Sequence, residues 1–296
     1  MKNTNTSFWQ AALLMLVCSL FLFPENAFSV KKQRYKVSVC DWMILKRQKL
    51  GEFKLASEIG ADGVTVDMGG LGTRENFDNK LVEDSMRVIF RKEAAKYKVE
   101  MSTIAMSAFY GQSFAKRPDA VRLVGTAIET MKLMKVKEGF LPIENPNLVT
   151  SPEFTSTVIA RLKEVAKMAE KAKVVIGIQS QISASEMVKI LDAVGSRSIK
   201  ATVNFANIIS GNRDICSELK VFGKNRIAQI HVSNTDSVWI QNDSKLDMSK
   251  VKATLDKMGW SGWLVVERSR DVKDVHNVKK NYGANAVYLK SVFQGK

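Results

Sequence analysis

Histidine is scarce in this chain: 296 residues contain only His231 and His276. That number excludes a multi-zinc centre built on imidazoles. Cysteine is almost as rare, with Cys18, Cys40 and Cys216. Three thiols so far apart make no disulfide framework, and Cys40 and Cys216 are expected as buried free thiols. No Gly-Lys-Ser/Thr ending follows the glycine-rich stretch Gly69–Gly70–Leu71–Gly72. A Walker-type phosphate loop is therefore excluded, and a tight turn is the default reading there. Acidic residues are in deficit, 30 against 45 Lys and Arg. The surplus still comes without an aromatic-rich basic strand that could stack bases, so nucleic acid is not expected. No linker rich in Gly, Pro or Ser divides the chain, which reads as one domain.

The first 29 residues read as a secretory signal peptide. Lys2 gives a positive start, Ala11 to Phe23 is a 13-residue apolar stretch, and Ala27–Phe28–Ser29 resembles a small-x-small cleavage site. Thirteen apolar residues are too few to span a bilayer comfortably, so cleavage is favoured over anchoring, with no stable span afterwards. Val17 before Cys18 fits a lipoprotein box poorly. Removing residues 1–29 takes away Lys2 and Glu25, so the mature chain keeps its formal +15. The expected location is secreted or periplasmic. A charge of that sign suits anionic partners such as phosphates or acidic glycans, although solvated helix faces account for much of it.

Residues 30–296 alternate between two patterns. Apolar strand-like runs stand at Val37–Asp41, Gly63–Asp67, Glu100–Ala105, Gly139–Pro142, Val174–Gln179, Lys200–Asn204, Ile227–His231 and Trp263–Glu267. Between them lie helical stripes. Phe154, Val158, Leu162, Val165 and Ala169 fall on one face, behind a Ser151–Pro152 start. Met248, Val251, Leu255 and Met258 form another, with Asp247 to cap and Gly259 to close it. Val278, Tyr282, Ala286, Leu289 and Phe293 form the last. Eight near-continuous apolar strands alternating with helices predict an α/β fold, a single (β/α)8 TIM barrel.

The last four strands end on side chains able to bind a metal: Gln179, Asn204, His231 and Glu267. Parallel barrels place their chemistry at this end. With Cys40–Asp41–Trp42–Met43, the Val66-to-Gly72 loop and the Gly262-to-Glu267 ending, the chain resembles the xylose isomerase-like TIM barrel superfamily. More narrowly it resembles secreted sugar phosphate isomerase/epimerase-type proteins of Bacteroidetes. Active members similar to ketose 3-epimerases hold a divalent ion through Glu, Asp, His and Glu on strands five to eight. The resemblance implies the metal positions Gln179, Asn204, His231 and Glu267, with Gln179 and Glu267 at the two catalytic positions. A further family histidine falls at Asn207.

Two of those four ligands are amides here. Mn²⁺, Mg²⁺ or Zn²⁺ would meet one carboxylate where the family has three, so any cofactor ion is expected to bind weakly. An amide cannot accept and return a proton at neutral pH, which removes Gln179 as a base. Glu267 remains, and Asp236, Asp41, Asp67 or Glu144 could supply a second acid–base group. Asp41, Trp42, Asp67, Asn207, Asp236 and Arg268 are the candidate substrate-binding residues. Lys46, Arg47 and Arg74 lie near the glycine loop in sequence, and Arg268 and Arg270 follow strand eight, near where barrels bind phosphate. Bland roles stand beside these: capping for Asp41 and Asp67, core packing for Trp42, and pairing with Arg268 for Glu267.

The leading expectation is a sugar isomerase/epimerase-like protein using metal-assisted proton transfer next to a carbonyl, on a small sugar or anionic glycan. The alternatives are a non-catalytic sugar-binding barrel and a secreted keto-sugar lyase, which needs one good base. An apurinic-site endonuclease shares the fold but requires histidines that this chain lacks.

Overall fold

The computed structural model describes residues 33–143 and 147–296. The signal-peptide reading and Glu144 lie outside the described residues. Eight parallel strands close into a barrel in chain order. They are β1 (Tyr35–Cys40), β2 (Gly63–Asp67), β3 (Glu100–Ala105), β4 (Glu138–Pro142), β5 (Val175–Gln179), β6 (Ile199–Asn204), β7 (Ile227–His231) and β8 (Gly262–Val266). The cylinder is completed where β1 meets β8, from Tyr35 opposite Gly262 to Val39 opposite Val266. The expected strands differ from these by at most two residues at either end.

One main helix follows each strand: α1 (Gly51–Glu58), α2 (Asp84–Tyr97), α3 (Ala120–Met134), α4 (Pro152–Ala172), α5 (Ala184–Val194), α6 (Ile215–Arg226), α7 (Met248–Met258) and α8 (Val278–Gln294). The stripes read from sequence are their inner faces. Val158, Leu162, Val165 and Ala169 of α4 and Tyr282, Ala286 and Leu289 of α8 are buried against the strands. Ser151 accepts from the Phe154 N–H at 3.3 Å and Asp247 from Lys250 at 2.9 Å, so both predicted caps form. Gly259 closes α7 at φ 71°. Cys40 and Cys216 are buried free thiols. Among the described residues no helix is long and apolar enough to cross a membrane.

The inside of the cylinder is unusually polar for a barrel. Ser102 Oγ lies 2.7 Å from Ser38 Oγ and 3.2 Å from Thr65 Oγ1, and Thr103 donates to Gln229 at 2.7 Å. Gly177 leaves room for this layer, since a Cβ there would sit 2.4 Å from Thr202 Oγ1.

Gly69 carries the turn after β2. Its φ is +90°, and a Cβ would stand 2.2 Å from the Asp78 carbonyl oxygen. That atom is backbone and cannot swing away. Gly69→Ala is therefore expected to destabilise the fold by about 1–3 kcal/mol from the dihedral alone, with the clash in addition. Urea unfolding of the two proteins measures it, and an unchanged midpoint would contradict this role.

Candidate functional site

Successive strand ends deliver their last residues to one point at the mouth of the barrel. Register places Gln179 beside Pro142 of β4 and Asn204 beside His231, while Glu267 follows the last residue of β8. Gln179, Asn204 and His231 are buried, and the Glu267 side chain keeps 12% exposure. They join through hydrogen bonds. Asn204 Nδ2 reaches Gln179 Oε1 at 3.1 Å and Glu267 Oε2 at 3.2 Å. His231 Nδ1 lies 3.3 Å from Glu267 Oε2. Tyr110, in a short 3-10 turn after β3, closes the ring: Gln179 Nε2 donates to its hydroxyl at 3.0 Å, and that hydroxyl donates to Glu267 Oε1 at 3.2 Å.

The polarity of this ring follows from the backbone. Asn204 Oδ1 accepts from the Ala206 and Asn207 N–H groups, at 2.9 and 3.4 Å, at the start of the helix Phe205–Ser210. Backbone N–H groups only donate, so the oxygen of Asn204 must face them and its NH₂ must face inward. Gln179 then turns its oxygen to Asn204 and its nitrogen to Tyr110, which leaves the phenol proton for Glu267. A carboxylate only accepts, so His231 carries its proton on Nδ1. His231 Nε2 is buried without a hydrogen-bond partner.

Glu267 is the charged centre of the group. Burial works to raise its pKa, but the His231 hydrogen bond, the Arg268 charge and the Tyr110 hydroxyl outweigh it and hold the carboxyl below its ordinary value. Its backbone is fixed as well. Ser233 Oγ accepts from the Glu267 and Arg268 N–H groups at 2.7 and 3.0 Å, and Tyr282 donates to the Glu267 carbonyl at 2.8 Å.

Above the ring opens a cleft of about 620 Å³, lined by Trp42, Arg47, Tyr110, Asn207, Glu267 and Arg268 among others. That volume fits a small molecule of sugar size. The Trp42 ring stacks on Phe140 at 6.5 Å with 7° between planes, and Phe140 in turn covers His231 at 4.9 Å. Asn207 donates to the Ser180 carbonyl at 3.3 Å.

The other candidates stand behind the cleft. Asp41 accepts from the Gln48 and Asp67 N–H groups, at 2.9 and 3.1 Å, and Asp67 from Gly69 and Ser107, at 2.6 and 3.1 Å. Both are buried braces of the first two loops. Asp236 is held by Arg270 at 2.6 Å and Arg268 at 3.4 Å. Sequence reasoning overlooked Tyr110. Its position just past a barrel strand was the available signal, since loops there carry the chemistry of this architecture.

The donor set does not fit a hard divalent cation. One carboxylate is present, the Asn204 oxygen is committed to a helix start, and N–H groups face the space that an ion would need. Among the described residues no three His, Cys, Asp or Glu side chains gather as a metal site.

Several carboxyls elsewhere in the barrel are costly to ionise. Burial and the neighbouring Asp67 charge push Asp41 up to about 7, and burial pushes Glu138 to about 8. Burial, then Asp41, raises Glu52 as well. Each folded-state pKa exceeds its unfolded value, so the proton-linked stability is complete in acid and lost as pH rises through the folded value. Melting temperature is expected to fall between about pH 5 and pH 8, each pKa unit being worth about 1.4 kcal/mol per group. Glu138→Gln should flatten that slope, and equal slopes in a scan of both proteins would refute the assignment.

Comparison with known proteins agrees with this architecture. The family model described as xylose isomerase-like TIM barrel matches residues 53–292. D-psicose 3-epimerase from Clostridium cellulolyticum H10, solved with D-tagatose, superposes with a TM-score of 0.70 at 13% identity, covering 87% of this chain and 99% of that one. D-allulose 3-epimerase from Methylomonas sp., in complex with D-allulose, gives 0.67 at 12%, over 88% and 98%. The 3-keto-D-glucoside 4-epimerase of E. coli gives 0.66 at 13%, over 87% and 99%. No curated protein matches by sequence. At such identities the superpositions speak for the fold alone, whereas the family model spans most of the sequence: this chain belongs to the xylose isomerase-like TIM barrel family.

Proposed function

We propose that this protein is a sugar-directed barrel of the isomerase/epimerase type, moving a proton on the carbon next to a sugar carbonyl with Glu267 as its base. One observation carries the reading: a carboxylate kept ionised at the floor of a sugar-sized cleft, with one oxygen beside a phenol and the other beside an amide and an imidazole. Structural relatives named for ketose and keto-glucoside epimerisation support the substrate class. No step is routed through a metal, because the donors at the site lack the anionic oxygens it would need.

The test is proton NMR of the protein with D-fructose, D-allulose or D-tagatose in D₂O. Loss of a C–H signal next to the carbonyl is the expected result. The amides at Gln179 and Asn204 favour a second reading, a barrel that binds sugar without turning it over. Thermal stabilisation by these sugars without any C–H exchange would select that one.

A further inference from the structure

We propose that the end of the barrel away from the cleft is a docking face for an anionic membrane surface. The strands are all parallel, so their first residues and the last turns of the helices that feed them share one end, opposite the mouth. Six exposed cations stand there in an arc from β3 to β7: Lys98 before β3, Lys135 and Lys137 before β4, Lys173 before β5, Arg197 before β6 and Lys224 before β7. Paired strands set these residues side by side, as where the Val175 N–H of β5 donates to the Lys137 carbonyl at 2.9 Å. Four carboxylates at this end already have other cations: Asp62 has Lys290, Glu100 has Lys36, Asp192 has Arg226 and Asp256 has Lys252. Glu170 is held by the Ser196 hydroxyl at 2.6 Å. Among the described residues none of the six cations of the arc is ion-paired. Two more lysines, Lys31 and Lys32, stand in sequence just before β1, which starts at the same end.

Three of these lysines occupy costly backbone. Lys98, Lys135 and Lys173 close α2, α3 and α4 in the left-handed region, at φ 55°, 60° and 56°. Gly195, Gly259 and Gly295 take that place after α5, α7 and α8, and glycine is the residue that meets such a φ without steric cost. A cation at a helix end also complements the helix dipole. One charge per helix satisfies that effect, which leaves Lys137 and Arg197, in the loops leading into β4 and β6, unexplained. Like charges gathered at one end repel each other and weaken the fold unless something anionic lies across them. A broad arc, unlike a stripe along one groove, fits a plane of headgroups, and clusters of about four to eight Lys and Arg are what anionic bilayers attract. Within the arc lies a recess of about 310 Å³, lined by Glu138, Lys200, Lys224, Trp260 and Ser261 among others. Lys200, Lys224 and the Ser261 hydroxyl supply donors for a headgroup phosphate. Burial keeps the Glu138 carboxyl largely protonated at neutral pH, so it does not repel one. Docked in this way, the barrel opens its cleft away from the bilayer, towards dissolved sugar.

The experiment sediments the full chain with vesicles of phosphatidylcholine, alone or with about 30% phosphatidylglycerol, at low salt. Wild type is expected to bind the anionic vesicles at least about tenfold more tightly than the neutral ones, and to release them as salt is raised. Lys135→Gln with Lys137→Gln and Lys173→Gln should weaken that binding about 100-fold, or about fivefold per lysine, with a melting temperature no lower than wild type. Arg197→Gln with Lys224→Gln, on the other half of the arc, should cost about 25-fold. Lys135→Arg with Lys137→Arg and Lys173→Arg should bind as wild type does. Equal binding by wild type and both glutamine variants, or no preference for anionic vesicles, would overturn the proposal. Binding to heparin or duplex DNA that leaves the vesicles untouched would overturn it too, and would assign the face to a linear polyanion.

Discussion

Replacing Glu267 by glutamine is expected to lower C–H exchange into D₂O by about 10²–10⁴-fold, the usual contribution of a positioned base. The amide has no lone pair basic enough to take a proton from carbon. The variant should fold, because its carbonyl oxygen can stay with Asn204 Nδ2 and His231 Nδ1 while its NH₂ turns to the Tyr110 oxygen, a competent acceptor. The Ser233 and Tyr282 bonds fix the backbone at this position and do not involve the side chain. Sugar-induced thermal stabilisation should change by only a few fold in apparent affinity, since the cleft wall is intact. Exchange at the wild-type rate would dispose of Glu267 as the base.

The second large effect concerns metal. In Asn204→Asp with Gln179→Glu, an aspartate oxygen can keep accepting from the Ala206 and Asn207 N–H groups. Its other oxygen then faces the space now filled by the amide NH₂. Three carboxylates and His231 would converge where one carboxylate stands now, and hard anionic oxygens are what Mn²⁺ binds. Titration calorimetry with MnCl₂ should show affinity at least about 100-fold above wild type, since direct ligands should matter no less than the supporting partners whose loss costs about 10–100-fold. Without metal, the double variant should melt lower and gain stability in acid, because crowded carboxylates raise each other's pKa. Equal Mn²⁺ affinity in the two proteins would show that the amides do not decide the matter.

Much of this barrel is legible from local pattern. Six of the eight strand-like runs stop on a polar side chain, the exceptions being those ending at Ala105 and Pro142, and three helices show a buried stripe every three or four residues. The convergence of Gln179, Asn204, His231 and Glu267 follows from the same reading, because parallel strands of similar length put their last residues on one rim. Strand limits were less accurate. Tyr35 joins β1 because Gly262 of the last strand pairs with it, a contact across the whole sequence. Tyr110 escaped notice for the same reason, its partners lying 69 and 157 positions away. Nothing local tells Asp236 from a ligand, since Arg270 claims it only in the folded chain. The hydroxyl layer of Ser38, Thr65 and Ser102 is equally invisible, as each of these residues sits in a strand that otherwise reads as apolar.

The pairing of β1 with β8 makes the first and last strands neighbours, and Gln294 reinforces this by donating to the Tyr35 carbonyl at 3.1 Å. A chain emerging from the ribosome therefore carries two unsatisfied strand edges until β8 is free to pair with β1, a state prone to sticking to other chains. Completion is all-or-none at the seam, so a fragment cut short before Gly262 is left an open, edge-exposed sheet, not a smaller barrel.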